Sequence, residues 1–250
     1  MTEIRAIIPA AGKGKRLSAV SGDLPKAMCR VGGRPMLDIV LENISFIPDG
    51  EIYIVVGCGK EAVTDHLGDR FTYVWQREQL GTGHAVRVCE EHFTDFDGAV
   101  LVTFGDMPLF RREEIEKMCR LHIETGAACT LMTAENPELT MWARVLRDSE
   151  GRFAAIVEGK DCTESQAKIT ELFSGVMVFD SRTLFELLPE LGCRNAQGEY
   201  YLTEVPELMV RRGLRVETYF TADGDDLRGV NTPEDLIECE RILASRLLTV

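Results

Sequence analysis

The feature that most restricts how this chain can fold is the regular alternation of strand-like and helix-like segments through its first 125 residues. Ile4–Pro9, Glu51–Val56, Tyr73–Gln76 and Ala99–Phe104 read as short strands with nearly continuous apolar runs, the pattern of strands buried on both faces. Met36–Phe46, Lys60–Leu67, Thr82–Glu91 and Arg112–Thr125 read as the helices between and after them. Strand and helix at that spacing predict an α/β fold, a mostly parallel sheet flanked by helices on both faces. The second half is less regular. Strands are expected over Ala127–Thr133, Ala143–Leu146, Phe153–Val157, Val176–Asp180 and Leu214–Phe220, and helices over Ser181–Leu188 and Tyr201–Arg212. A last helix should start at Thr232-Pro233, with Thr as its cap and Pro at its first position. No Pro/Ser linker and no internal repeat divides the chain, so residues 1–250 read as one domain.

Forty-five per cent hydrophobic residues suffice for a substantial core. The net charge of −13 argues against nucleic acid or an anionic membrane as a partner. Seven basic residues nevertheless crowd the first 35 positions (Arg5, Lys13, Lys15, Arg16, Lys26, Arg30, Arg34), against only Glu3 and Asp23. An acidic chain with a basic start suggests a local site for a small anion. The eight cysteines are scattered with no CxxC pair, which fits neither a zinc centre nor a disulfide framework. No signal peptide and no membrane-length apolar run is apparent, so a cytoplasmic protein is expected.

Three segments carry chemistry. Ala10-Ala11-Gly12-Lys13-Gly14-Lys15-Arg16 follows the first strand, and glycines there let backbone N–H groups approach phosphate oxygens. Leu17 breaks the dinucleotide fingerprint and no Walker A string occurs, so dehydrogenase and P-loop kinase readings fail. Lys26, in Leu24-Pro25-Lys26, offers a second cation for a polyphosphate. Gly105-Asp106 ends an apolar strand, where open α/β sheets hold ligands, and a lone carboxylate there suits Mg²⁺. Asn231 ends another strand-like stretch and offers a second, neutral oxygen; Asp106 and Asn231 read equally well as turn residues. In Gln76-Arg77-Glu78-Gln79-Leu80-Gly81-Thr82-Gly83-His84-Ala85, the glutamine can read a base edge beside a helix entry, while His84 reads as structural.

With these segments in order, the chain resembles the nucleotide-sugar pyrophosphorylases, most closely the uridylyltransferase half of the bacterial N-acetylglucosamine-1-phosphate uridylyltransferases. Gln79-Leu80-Gly81-Thr82-Gly83-His84-Ala85 and Asn195-Ala196-Gln197-Gly198-Glu199-Tyr200-Tyr201 are the most specific strings, and the similarity runs from about Ile4 to Leu243. The resemblance implies a Rossmann-like mixed sheet, the nucleotide-diphospho-sugar transferase fold, with residues 1–125 as a nucleotide half and 126–250 as a sugar-phosphate half. It implies UTP over Ala10, Ala11, Gly12 and Gly14, with Gln76, Gln79, Gly81, Thr82 and Gly105 completing the nucleotide site. Mg²⁺ would be held by Asp106 and Asn231, while Arg16, Lys26 and Asp106 serve catalysis. Ala143, Glu158, Phe173 and Tyr200 would border a sugar 1-phosphate.

Three departures stand out. The family's Asn before Ser/Thr-Gly is Phe173 here, its Gly-Tyr-Gly-Arg is Met141-Trp142-Ala143-Arg144, and the spacer Leu17 to Pro25 is longer. The first two fall on the sugar side, so uridylyl transfer is expected with a sugar that is not necessarily N-acetylglucosamine. No hexapeptide repeats occur before residue 250, and no acetyl-CoA activity is expected. Two other readings stay open: the same chemistry with CTP or dTTP, and a non-catalytic nucleotide-sugar sensor, which would have no need of Arg16, Lys26, Asp106 and Asn231. The sequence does not specify an oligomeric state.

Overall fold

The apolar run at the start of the chain becomes β1 (Ile4–Pro9), whose Ala6 and Ile8 bury into one face of a sheet while Ile7 buries into the other. Burial on both sides explains why this segment has no polar alternation. The computed structural model describes residues 3–17, 22 and 24–248, and the spacer residues 18–21 and 23 lie outside that set. β2 (Ile52–Val56), β3 (Thr72–Trp75) and β4 (Ala99–Val102) follow, then β5 (Cys129–Glu135), β6 (Arg144–Arg147), β7 (Phe153–Val157), β8 (Glu171–Asp180) and β9 (Val216–Phe220). The nine strands form one sheet in the order β9-β5-β8-β4-β1-β2-β3, with β6 pairing to β8 and β7. Along that path every strand runs the same way except β8, which is antiparallel to β4 and β5. The sheet is thus mixed and mostly parallel.

On the Ala6/Ile8 face pack α1 (Met36–Asn43), α2 (Lys60–Leu67) and α4 (Arg112–Thr125), through Leu37, Val63 and Ile115 among others. On the Ile7 face pack α3 (Thr82–Arg87), α5 (Ser181–Leu187) and α6 (Val205–Arg211), through Val86, Leu184 and Met209. α7 (Pro233–Leu247) closes the end of the molecule, its Leu236, Cys239 and Ile242 meeting Leu17, Met36 and Leu109. Its start matches the sequence reading: the Thr232 hydroxyl accepts from the Asp235 N–H, and Asp235 returns the bond to the cap. No helix among the described residues is long and apolar enough to cross a membrane.

The second half departs more from expectation. The helix expected from Tyr201 is a 3-10 turn, Leu202–Glu204, followed by α6, where Pro206 fits the first turn because its missing N–H has no partner to lose. β8 starts at Glu171 rather than Val176, and its register with β5 shifts between Phe173 and Met177, around Gly175 with φ +92°. Since Met177 pairs with Val102 at the end of β4, residues 173–175 project past the carboxyl end of β4, while Phe173 stays paired with Thr133 of β5. That is where ligands bind in open α/β sheets.

Candidate active site

The loops leaving β1, β3 and β4 enclose a cavity of about 270 Å³, lined by Ala10, Ala11, Gly12, Gln76, Gly81 and Asp106 among others. The first loop is held by its backbone. Ala10 N–H donates to the Val55 carbonyl at 2.8 Å, Gln79 donates its side-chain N–H to the Ala11 carbonyl, and Gly12 accepts from the Lys26 N–H at 3.1 Å. Gly14 has φ +58°, and a Cβ there would lie 3.1 Å from Lys26 Cβ, so glycine lets the lysine turn close against the loop.

The third segment is anchored from far along the chain. Gly81 has φ +114°, and a Cβ on it would lie 2.6 Å from the Tyr200 carbonyl oxygen. The Tyr200 N–H donates to the Leu80 carbonyl, its carbonyl accepts from Gly83 N–H, and the Thr82 hydroxyl accepts from Leu202 N–H at 3.0 Å. The two most specific strings of the sequence are therefore one structural unit. Gln76 is only 4% exposed, and its amide nitrogen donates to the Gly81 carbonyl at 3.2 Å and to His84 Nδ1 at 3.0 Å.

A second cavity of about 560 Å³ adjoins the first, and Thr82, Phe104 and Asp106 line both. At the seam Lys26 Nζ donates to Asp106 Oδ2 and, at 2.8 Å, to Asn231 Oδ1. Asp106 comes from the turn after β4 and Asn231 from the entry to α7. Val230 N–H donates to the Asp106 carbonyl at 3.0 Å, and Asn231 N–H is held by Asp235 at 2.8 Å. A carboxylate oxygen and an amide oxygen converging on one cation also form a suitable donor pair for Mg²⁺, which takes hard oxygens and completes its shell with water and phosphate. Among the described residues no cluster of three or more His, Cys, Asp or Glu offers a denser metal site.

The second cavity draws residues from several elements. Glu158 accepts from the Thr203 hydroxyl at 2.9 Å; burial raises its pKa, with the Asp161 charge adding and the Thr203 bond opposing. Phe173 packs against Ala143, Val145 and Ile156 in the core yet still reaches the cavity wall. Arg144 is buried and donates to the Trp142 and Thr140 carbonyls at 2.6 and 2.7 Å, folding the loop that carries Trp142 and Ala143. The loop ahead of Asn231 is fixed by the fully buried Asp226, which binds Arg111, Arg246 and the Thr221 hydroxyl.

Of the residues singled out from sequence, Ala10, Ala11, Gly12, Lys26, Gln76, Gln79, Gly81, Thr82 and Asp106 line the first cavity. Arg16, Asp106, Ala143, Glu158, Phe173 and Asn231 line the second. Gly14, Gly105 and Tyr200 line neither; they shape the walls from behind. Phe104, Ser174, Glu199 and Thr203 line the cavities without having been singled out. Phe104 adjoins Gly105-Asp106, Ser174 follows Phe173 in the Ser/Thr-Gly pattern and Glu199 lies inside the 195–201 string, so proximity to a motif was their only signal; Thr203 carried none.

Residues 6–203 match the family described as the MobA-like NTP transferase domain. The bifunctional protein GlmU of Latilactobacillus sakei subsp. sakei (strain 23K) is 40% identical over 249 residues, covering 100% of this chain and 53% of that protein. The protein of the same name from Staphylococcus carnosus (strain TM300) is 37% identical over 242 residues, covering 97% and 53%. In Enterococcus faecalis (strain ATCC 700802 / V583) the identity is 38% over 242 residues, covering 97% and 52%. The chain spans about half the length of the curated relatives it matches.

Proposed function

The chain belongs to the MobA-like NTP transferase domain family and is an enzyme of the nucleotidyltransferase class, and from that premise we propose that it joins UTP to a hexose or hexosamine 1-phosphate, releasing pyrophosphate. The observation that carries the reading is the meeting of Lys26, Asp106 and Asn231 at the seam of two adjoining cavities. One cavity takes the nucleotide, the other takes the sugar phosphate, and the reacting phosphorus lies between them. The reading treats residues 1–250 as one domain, with 1–125 facing chiefly the nucleotide and 126–250 the sugar.

An oxygen of the sugar phosphate attacks the α-phosphorus of UTP in line. The bond from that phosphorus to the oxygen bridging the β-phosphorus breaks, and its electron pair leaves with pyrophosphate. A phosphate monoester is already an anion at neutral pH, so no general base is needed. Two polyanions must approach each other, and most of the catalysis is neutralisation and alignment. Lys26 places its charge at the α-phosphate, Arg16, on the wall of the second cavity, adds positive charge on the sugar-phosphate side of the seam, and the loop from Ala10 to Gly14 orients the nucleotide through backbone N–H groups. Mg²⁺, held by Asp106 and Asn231, supplies further positive charge against the phosphates when bound. Glu158 holds a sugar hydroxyl. Phe173 and the Trp142-Ala143 loop shape the rest of the sugar pocket, which favours a sugar other than, or in addition to, N-acetylglucosamine.

The test is pyrophosphate release from UTP and Mg²⁺ across a panel of 1-phosphates of glucose, glucosamine and N-acetylglucosamine. Release that requires both substrates is expected with at least one of them. Tight UTP binding with no turnover on any sugar phosphate would overturn the transferase reading in favour of a sensor.

A further inference from the structure

The Gln76 amide can enter the first cavity either way round, and its two ends ask opposite things of a ligand. The oxygen accepts a hydrogen bond; the nitrogen donates two. Both N–H groups are already committed, to the Gly81 carbonyl at 3.2 Å and to His84 Nδ1 at 3.0 Å. Among the described residues the oxygen has no protein partner, and it is not one of the buried unpartnered atoms, while Gln76 itself lines the cavity. The acceptor end therefore faces the ligand. His84 does not line the cavity; its ring is hydrogen-bonded to the amide, and its Nδ1 accepts only when the ring proton sits on Nε2.

We propose that His84 is a positioning residue that locks the Gln76 amide with its oxygen toward the ligand, and so makes the pocket select a pyrimidine imide over an aminopyrimidine. Uracil presents N3–H as a donor beside the O4 acceptor, whereas cytosine presents an N3 acceptor beside an N4 amine. Gly81 lines the same cavity, and its N–H has no acceptor among the described residues, so it supplies the donor complementary to O4. A flipped amide would fit cytosine N3, and the bond to Nδ1 opposes that flip. This rests on the UTP reading above and says how that choice is enforced.

The experiment measures kcat/KM for UTP and CTP with one sugar 1-phosphate, in the wild type, His84→Leu and His84→Asn. Asn places its Oδ1 acceptor close to where Nδ1 lies, whereas Leu offers none. His84→Leu should lower the UTP:CTP ratio about tenfold, which is 1.4 kcal/mol, through the nucleotide KM and with the sugar-phosphate KM unchanged. His84→Asn should stay within about twofold of the wild type, since its acceptor still serves the amide. In a Gln76→Leu background, adding His84→Leu should move the ratio no further, because the two act as one unit. Equal losses for both nucleotides, an unchanged ratio in His84→Leu, or additive effects in the Gln76→Leu background would overturn the proposal. A wild type that prefers CTP or makes no distinction would instead overturn the UTP reading beneath it.

Discussion

The two cavities share Asp106 but are built from different materials. The first rests on loops at the ends of parallel strands, fixed by main-chain bonds such as Ala10 to Val55 and Gly12 to Lys26, with the side chains of Lys26, Gln76 and Asp106 set among them. The second draws its walls from the displaced start of β8, the loops flanking the β6–β7 pair and the loop ahead of α7. Where backbone groups meet a ligand, sequence change is tolerated provided the glycines stay, because those groups are common to all residues; in this cavity the exceptions are side chains such as Gln76 and Lys26. A side-chain-walled pocket changes its ligand whenever a residue changes. Both of these departures from the family pattern, Phe173 and Met141-Trp142-Ala143, are in the second cavity, the one the proposed function gives to the sugar phosphate.

The largest effect is expected where the two regions join. Lys26→Ala should lower kcat by roughly 10²–10³, as for loss of one preorganised charge donor at a reacting centre. Circular dichroism and melting temperature should be little changed, since the lysine is not part of a core cluster. A loss confined to the KM of a single substrate would show that the seam belongs to one cavity only. Next comes the side-chain wall. Phe173→Leu enlarges the second cavity while keeping it apolar, and should redistribute activity over the sugar-phosphate panel by about tenfold. UTP KM should stay within about twofold, well under the tenfold that 1.4 kcal/mol represents, because the walls of the first cavity are unaltered. Equal movement of both KM values would break the division of labour.

The smallest effect is in pH. The raised pKa of Glu158 means that it takes up a proton at higher pH than an ordinary glutamate. As pH falls through that value the carboxylate becomes neutral and accepts a sugar hydroxyl less strongly. The sugar-phosphate KM should therefore rise on the acid side by about threefold, consistent with the modest net worth of one hydrogen bond. UTP KM should not follow, and Glu158→Gln should remove the pH dependence while leaving a weaker, pH-independent KM. An acid limb that survives in the glutamine variant would assign it to another group.

Much of this was written locally. Of the strands of the first half, β1, β2 and β4 announce themselves because burial on both faces disfavours polar residues, and the α7 cap does so because Thr232, Pro233 and Asp235 act within one turn. The clustering of positive charge misled in part. Arg5 pairs with Glu51 at 2.7 Å and lies over the Phe96 ring, Arg34 pairs with Glu42 at 2.7 Å, and Lys13 lines a separate depression with Lys60 and Arg77. Among those of the seven whose side chains are described, Arg16 and Lys26 line the two cavities. Proximity along the chain does not fix which way a long side chain points. His84 was legible as structural, but its partner was not, since an i, i+8 contact across a turn follows no helical or strand period.

The sequence alone determined the alternating α/β order, the glycine loop after β1 and the residue types able to bear phosphate chemistry, because these depend on burial, backbone freedom and charge within a few positions. Only the tertiary structure decided that Lys26, Asp106 and Asn231 meet, that the 195–201 string braces Gly81, and that β8 overshoots β4 to wall a second cavity. Those outcomes depend on strand order and register, which the packing of the whole sheet sets and no local pattern encodes.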